Sequence, residues 1–157
     1  MLGAGARPSG GICGVGGVVA TVRESIVVNR PCAETFAYLT DPRTRHEWQP
    51  QVARIKLLRD GEVGAGTQAV EVRRMFGREV RVPFEIKRHE PSNRQDIRTT
   101  SGPIRPMGVL RCEQQSDGTL VSYEFTFTGP AAWFFARTIS RDMKAALART
   151  KKRLESQ

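Results

Sequence analysis

Few residues of this sequence stand at spacings suited to nucleophilic or metal chemistry. His46-Glu47 has no second histidine one helical turn on, and His89 stands alone near Pro91. Neither belongs to a metal-ligand set. Cys13, Cys32 and Cys112 are far apart and form no C-x-x-C pair. No Gly-x-Ser-x-Gly elbow is present, so a hydrolase is not indicated. Gly64-Ala65-Gly66-Thr67-Gln68-Ala69 matches the Gly-x-Gly-x-x-Ala pattern of dinucleotide loops. That loop works only when a helix follows, because the helix N-terminus holds the pyrophosphate. Here Val70-Glu71-Val72-Arg73 follows and reads as a strand, so the glycines read as a turn.

The side chains suited to touching a ligand lie elsewhere. Val121, Tyr123, Phe125 and Phe127 alternate with Ser122, Glu124 and Thr126, a period of two that puts the aromatics on one face. The Tyr123 hydroxyl then points inward and needs a partner. Arg111 has the parity of Met107 and Val109 and is expected to face inward too. An inward arginine needs a carboxylate or an anionic ligand group, because unpaired burial is costly. Together the two would orient a ligand carbonyl or carboxylate. Trp48 is an amphipathic aromatic suited to a cavity rim. Val72, Phe84, Met107, Phe125, Phe135, Ile139 and Met143 complete the expected apolar lining, although a cavity wall and a packed core share this composition.

These residues need a scaffold. The β-branched run Val18 to Val28 reads as a strand ended by Asn29-Arg30-Pro31. Ala33 to Thr40 reads as a helix, with Phe36 and Leu39 on one face, stopped by Asp41-Pro42. A short helical piece, Arg43 to Trp48, closes at Pro50. Strands are then expected around Val52 to Leu58, Val70 and Val72, Val80 to Ile86, Ile97 and Thr99, Met107 to Gln115, and Val121 to Phe127. Asp117-Gly118 is a hairpin turn. Ala131 to Leu154 reads as one helix of about 24 residues, roughly 36 Å long. Its apolar stripe must cover something, and the apolar sheet face is available.

The chain has 157 residues, 25 basic and 16 acidic, a net charge of +9. Resolved by segment, residues 31–130 carry only +2 and residues 131–157 carry +5. The excess therefore sits on the outer face of the last helix and its tail, where a solvated surface or weak attraction to anionic lipid headgroups is expected. Nucleic acid is not expected, since no aromatic platform interleaves with the charge. Residues 1–17 hold seven of the fifteen glycines and read as a flexible leader to a single domain, 18–157. A signal peptide is the rival reading of the weakly apolar 13–22 stretch. Glycines interrupt that stretch and only Arg7 precedes it, so the cytoplasm is expected.

Five motifs in order resemble the START-like (SRPBCC) superfamily, and within it the small polyketide cyclase/dehydrase-type proteins. They are Val28-Asn29-Arg30-Pro31; Phe36, Leu39 and Asp41-Pro42; Trp48-Gln49-Pro50-Gln51-Val52; Val63-Gly64-Ala65-Gly66-Thr67; and Asp117-Gly118-Thr119. The resemblance covers about residues 20–154. It implies an α+β helix-grip fold: a curved antiparallel sheet of six to seven strands wrapped around a long C-terminal helix, with two short helices after the first strand. It also implies an apolar cavity between sheet and helix for a lipid-, sterol- or polyketide-like molecule. The leading expectation is a binder of a small hydrophobic ligand, without cofactor or metal, as monomer or homodimer. A polyketide cyclase or dehydrase is the alternative, with Tyr123 as proton donor and Arg111 as enolate stabiliser. A third is an interaction protein using the basic terminal helix.

Overall fold

The computed structural model describes residues 19–102 and 105–157. The leader expected at 1–17, and Val18, lie outside the described residues. The elements run β1 (Val19–Val28), α1 (Cys32–Thr40), α2 (Arg45–Trp48), β2 (Val52–Leu57), β3 (Gln68–Met75), β4 (Arg78–Glu90), β5 (Arg94–Thr99), β6 (Met107–Gln115), β7 (Gly118–Thr128) and α3 (Ala132–Glu155). All seven strands form one antiparallel sheet in the order β1-β7-β6-β5-β4-β3-β2. This is the helix-grip arrangement.

Directly paired residues in an antiparallel ladder share a face, so the register fixes what points inward. On β7, Val121, Tyr123 and Phe127 are buried. They pair with Ile26, Glu24 and Ala20 on β1, and Val121 and Tyr123 pair with Cys112 and Leu110 on β6. Leu110 continues to Gln95 on β5, and Gln95 to His89 on β4. Phe84 pairs with Ala69 on β3, and Ala69 with Leu57 on β2. One concave face thus runs from β1 to β2.

Pro83 lies inside β4 without breaking the sheet. Its carbonyl accepts the Thr100 N–H at 3.0 Å. Thr100 is one residue beyond the end of β5, so the missing proline N–H falls where the ladder has run out.

The helix α3 packs mainly on β1, with Met143, Ala146, Leu147 and Leu154 buried against Val22, Val28, Val121 and Phe127 in one core cluster. Fully burying a Leu side chain contributes about 2 kcal/mol. The helix is also tied at its end. Arg30 Nε donates to the Leu154 carbonyl at 2.7 Å, satisfying one of the last helical carbonyls. Among the described residues, no helix is long and apolar enough to cross a membrane.

Candidate functional site

Among the described residues a pocket lies beside α1, displaced from the position expected beneath the C-terminal helix. It is a pocket of about 620 Å³ walled by α1, the Asp41-Pro42-Arg43 turn, β2, the segment around Gly61 and Val63, and the turn at Pro91 and Ser92. Ala33, Phe36, Ala37, Ile55, Leu57 and Val63 give it an apolar lining. The reason is packing. The C-terminal half of α3 packs on β1 through Met143, Ala146, Leu147 and Leu154, while α1 packs on β6 and β7 and faces the inner side of β2 across an open gap.

Local sequence builds each wall. Thr35 N–H and Oγ1 both bond the Pro31 carbonyl at 3.0 Å, starting α1. Asp41 closes the helix, its N–H reaching the Ala37 carbonyl, and Pro42 prevents continuation. The Asp41 carboxylate accepts the Arg43 N–H at 2.9 Å and the Arg43 guanidinium at 2.8 Å. Those bonds hold its pKa below the usual carboxylate range. The Gly64–Thr67 turn folds back on β4: Gly66 N–H reaches the Ile86 carbonyl at 2.8 Å, and Ile86 N–H the Thr67 carbonyl at 2.9 Å. Gly66 has φ +89, a conformation that favours glycine. The strand β3 follows the turn, so these glycines do not open a phosphate-binding helix; the flanking Val63 and Thr67 are the residues of this segment that reach the pocket and the inner space.

The pocket backs onto a smaller inner space of about 10 Å³, which shares Thr40, Pro42, Ile55, Leu57 and Val63 with it. Phe84, Ile86 and Ile97 supply its apolar floor, and Arg45, Thr67 and Gln95 its further polar groups. Gln95 is 2% exposed, with its Nε2 3.0 Å from His89 Nδ1. His89 lines the outer pocket with its ring 5.5 Å from that of Phe36. Arg45 is 6% exposed. Its guanidinium lies 5.0 Å over the Trp48 ring, a cation–π contact. Arg45 Nε and Trp48 Nε1 are both buried with no hydrogen-bond partner among the described residues.

Residues 19–155 match the family described as polyketide cyclase / dehydrase and lipid transport. The chain belongs to that family. No curated protein sequence matches it. Among solved structures it is similar to Ara h 8.0201, with TM-score 0.73 and 15% identity over 89% of this chain and 100% of that one. It is also similar to TTHA0849 from Thermus thermophilus, with TM-score 0.70 and 16% identity over 87% of this chain and 98% of that one. A third is the di-domain ARO/CYC StfQ from the steffimycin biosynthetic pathway, with TM-score 0.72 and 14% identity over 85% of this chain and 50% of that one. At these identities the likeness is one of fold.

Within this family fold, the sequence-expected residues separate into three groups. Phe84 lines the inner space. Trp48, Tyr123 and Met143 belong to the core cluster and Phe125 and Ile139 pack against it, whereas Phe135 is half-buried on α3 with its ring 5.9 Å from that of Phe134; none of the six lines the pocket. Tyr123 lies between Trp48, at 6.3 Å, and Phe125, at 4.9 Å.

Three expectations are corrected. Arg111 pairs with Ser122 and Arg94, and Met107 with Thr126. Both lie on the outer face, opposite Tyr123, and Met107 is 41% exposed. The inward residues of β6 are Gly108, Leu110 and Cys112. Val72 is buried, 4% exposed, but it pairs with Arg81 and Arg54 on the side of the sheet opposite Ala69 and Glu71 and lines neither the pocket nor the inner space. The arginine that does turn inward is Arg45. Its signal in the sequence is the i, i+3 spacing to Trp48 on a short helix bracketed by Pro42 and Pro50.

The remaining candidates are quieter. His46 is exposed, and no group of three metal-binding side chains occurs among the described residues. The basic tail is partly engaged within the chain. Lys151 Nζ donates to the Val27 carbonyl at 2.7 Å and pairs with Glu155, and Arg153 pairs with Glu47 at 3.4 Å.

Proposed function

We propose that this protein binds a small hydrophobic molecule in the pocket between α1 and the β2–β4 side of the sheet. The observation that carries the reading is the pocket itself. Its volume of about 620 Å³ lies within the range typical of small-molecule sites, roughly 300–1,000 Å³. Its lining is apolar, with a few polar groups at its inner end, the composition such sites share. Membership of a cyclase and lipid-transport family supports the same class of ligand.

Native mass spectrometry of the protein purified under mild conditions, followed by organic extraction, tests the reading. A bound apolar small molecule at near-stoichiometric occupancy is expected, and its loss on substituting Ala37→Trp, which fills the pocket. A protein that carries no ligand and takes up none from a panel of apolar compounds would reject it.

A cyclase acting in the same pocket would have to use the groups found there, Arg45, Gln95 and His89. Tyr123 and Arg111 lie on opposite faces of the sheet and do not act on one substrate.

A further inference from the structure

Every turn of an antiparallel sheet lies at one of its two ends, and the register says which. Val19 pairs with Thr128, Thr126 with Met107, Met107 with Arg98, and Thr99 with Phe84. The β3–β4 hairpin and the start of α3 therefore lie at the same end. Nine large apolar side chains are exposed among the described residues, and all but Val27 and Leu58 belong to this end.

Phe76 is the extreme case. It is 96% exposed and sits in the two-residue turn between the paired Met75 and Arg78, with φ 52, followed by Gly77 at φ 74. Two positive φ values make a turn that favours Asn-Gly, and a bulky side chain is disfavoured there. Neither burial nor backbone conformation accounts for a phenylalanine at this tip. Met75 and Val80 extend the apolar surface down the hairpin. In the first turn of α3, Trp133 and Phe134 are also exposed, with ring centroids 6.2 Å apart. Three strand spacings separate β4 from β7, about 15 Å, so both apolar tips fall within one footprint.

The charge around the tips has one sign. Arg74, Arg78, Arg81 and Arg137 are exposed and make no ion pair among the described residues. Glu79, the only acidic residue from 74 to 81, is held by Arg54 at 3.2 Å. Aromatic rings settle at the headgroup level of a bilayer, and arginines are drawn to anionic lipid. A second copy of the chain fits less well, because a two-fold contact sets a patch against itself and arginine against arginine. A nucleic acid would stack on the rings but leave Met75 and Val80 unused.

We propose that this end of the sheet docks on an anionic lipid bilayer, with Phe76 and Trp133 entering the headgroup region and the arginines meeting the lipid anions. The pocket is walled by the β2–β3 segment and the β4–β5 turn, at the opposite end, so docking leaves it clear and is independent of ligand binding. The basic tail, residues 149–153, is also at the opposite end, since Arg30, just past β1, bonds the Leu154 carbonyl.

Co-sedimentation of the full chain with vesicles tests this. Vesicles of phosphatidylcholine with about one third phosphatidylserine should be bound at least about tenfold more tightly than phosphatidylcholine alone. Trp133 emission should shift to the blue on binding, Trp48 being already buried. Phe76→Asn should weaken binding about tenfold with no loss of thermal stability, because Asn-Gly suits the turn. Arg78→Gln should weaken it about fivefold, and Lys152→Gln, on the tail, not at all. Equal binding to the two kinds of vesicle, unchanged binding by Phe76→Asn, or loss of binding in Lys152→Gln would overturn the proposal. So would failure to bind the mixed vesicles; a single-stranded oligonucleotide that binds instead, or a dimer that Phe76→Asn dissociates, would then assign this end to another partner.

Discussion

Gly118, in the β6–β7 hairpin, lies directly against the carbonyl of Val28 at the end of β1. A Cβ placed on Gly118 would come within 2.2 Å of that oxygen, and the residue has φ +129. The contact matters beyond the hairpin. Thr119 Oγ1 donates to the Arg30 carbonyl at 2.7 Å, and Gln114 Oε1 accepts the Cys32 N–H at 3.0 Å. The hairpin therefore fixes the start of α1, which walls the pocket along its length from Ala33 to Thr40. Gly118→Ala combines an unfavourable backbone conformation with a backbone clash, and should cost about 3 kcal/mol or more. Denaturant unfolding measures it, and a loss below about 0.5 kcal/mol would contradict the contact.

Arg111 is the test of the sheet's facing. From its position on the outer face, Arg111→Ala should change stability by less than about 0.5 kcal/mol and leave the affinity for 1-decanol, an apolar probe of the pocket, unchanged. Ala37→Trp, on the exposed side of α1, should weaken decanol binding by at least about tenfold by filling the pocket. Loss of binding in Arg111→Ala would mean that β6 presents the opposite face.

Cys112 sets an alkaline limit. Burial pushes its thiol up from 9.0 to about 12, and the neighbouring Cys32 thiol adds to the rise. The folded chain thus keeps a proton that the unfolded chain releases above pH 9. The contribution is fully present below that pH and is lost as pH rises towards 12, at a limiting slope of about 1.4 kcal/mol per unit. Chemical denaturation at pH 7.5 and 10 should show the parent losing more stability than Cys112→Val. Equal losses would contradict a buried, protonated thiol.

Much of the fold was legible because it rests on local pattern. The alternation of Val121, Tyr123, Phe125 and Phe127 sets the inner face of β7, and Asp117-Gly118 sets its turn. The phase of β6 was not legible, for a physical reason. Both its faces carry apolar residues, Met107 and Val109 on one and Leu110 and Cys112 on the other. A period of two then gives no direction until the register with β7 decides it. Val72 was misplaced in the same way, because the inward residues of β3 include the buried Glu71, which pairs with Arg73. The pocket's place depends on how α1, packed on β6 and β7, faces β2 across a gap, a non-local arrangement that no spacing encodes. Arg45 was missed because arginine on a four-residue helix ordinarily faces solvent. Its burial follows from tertiary packing, over the Trp48 ring and beside the inner space that β2, β4 and β5 wall.

The central claim is the location of the ligand. Backbone amide chemical shifts of the ¹⁵N-labelled protein, followed during a 1-decanol titration, read that location directly. Saturable shifts should cluster at Ala33, Ala37, Leu57, Val63 and Ser92 around the pocket. Shifts clustered instead at Phe135, Ile139 and Met143 on α3, or no saturable shifts at all, would contradict it.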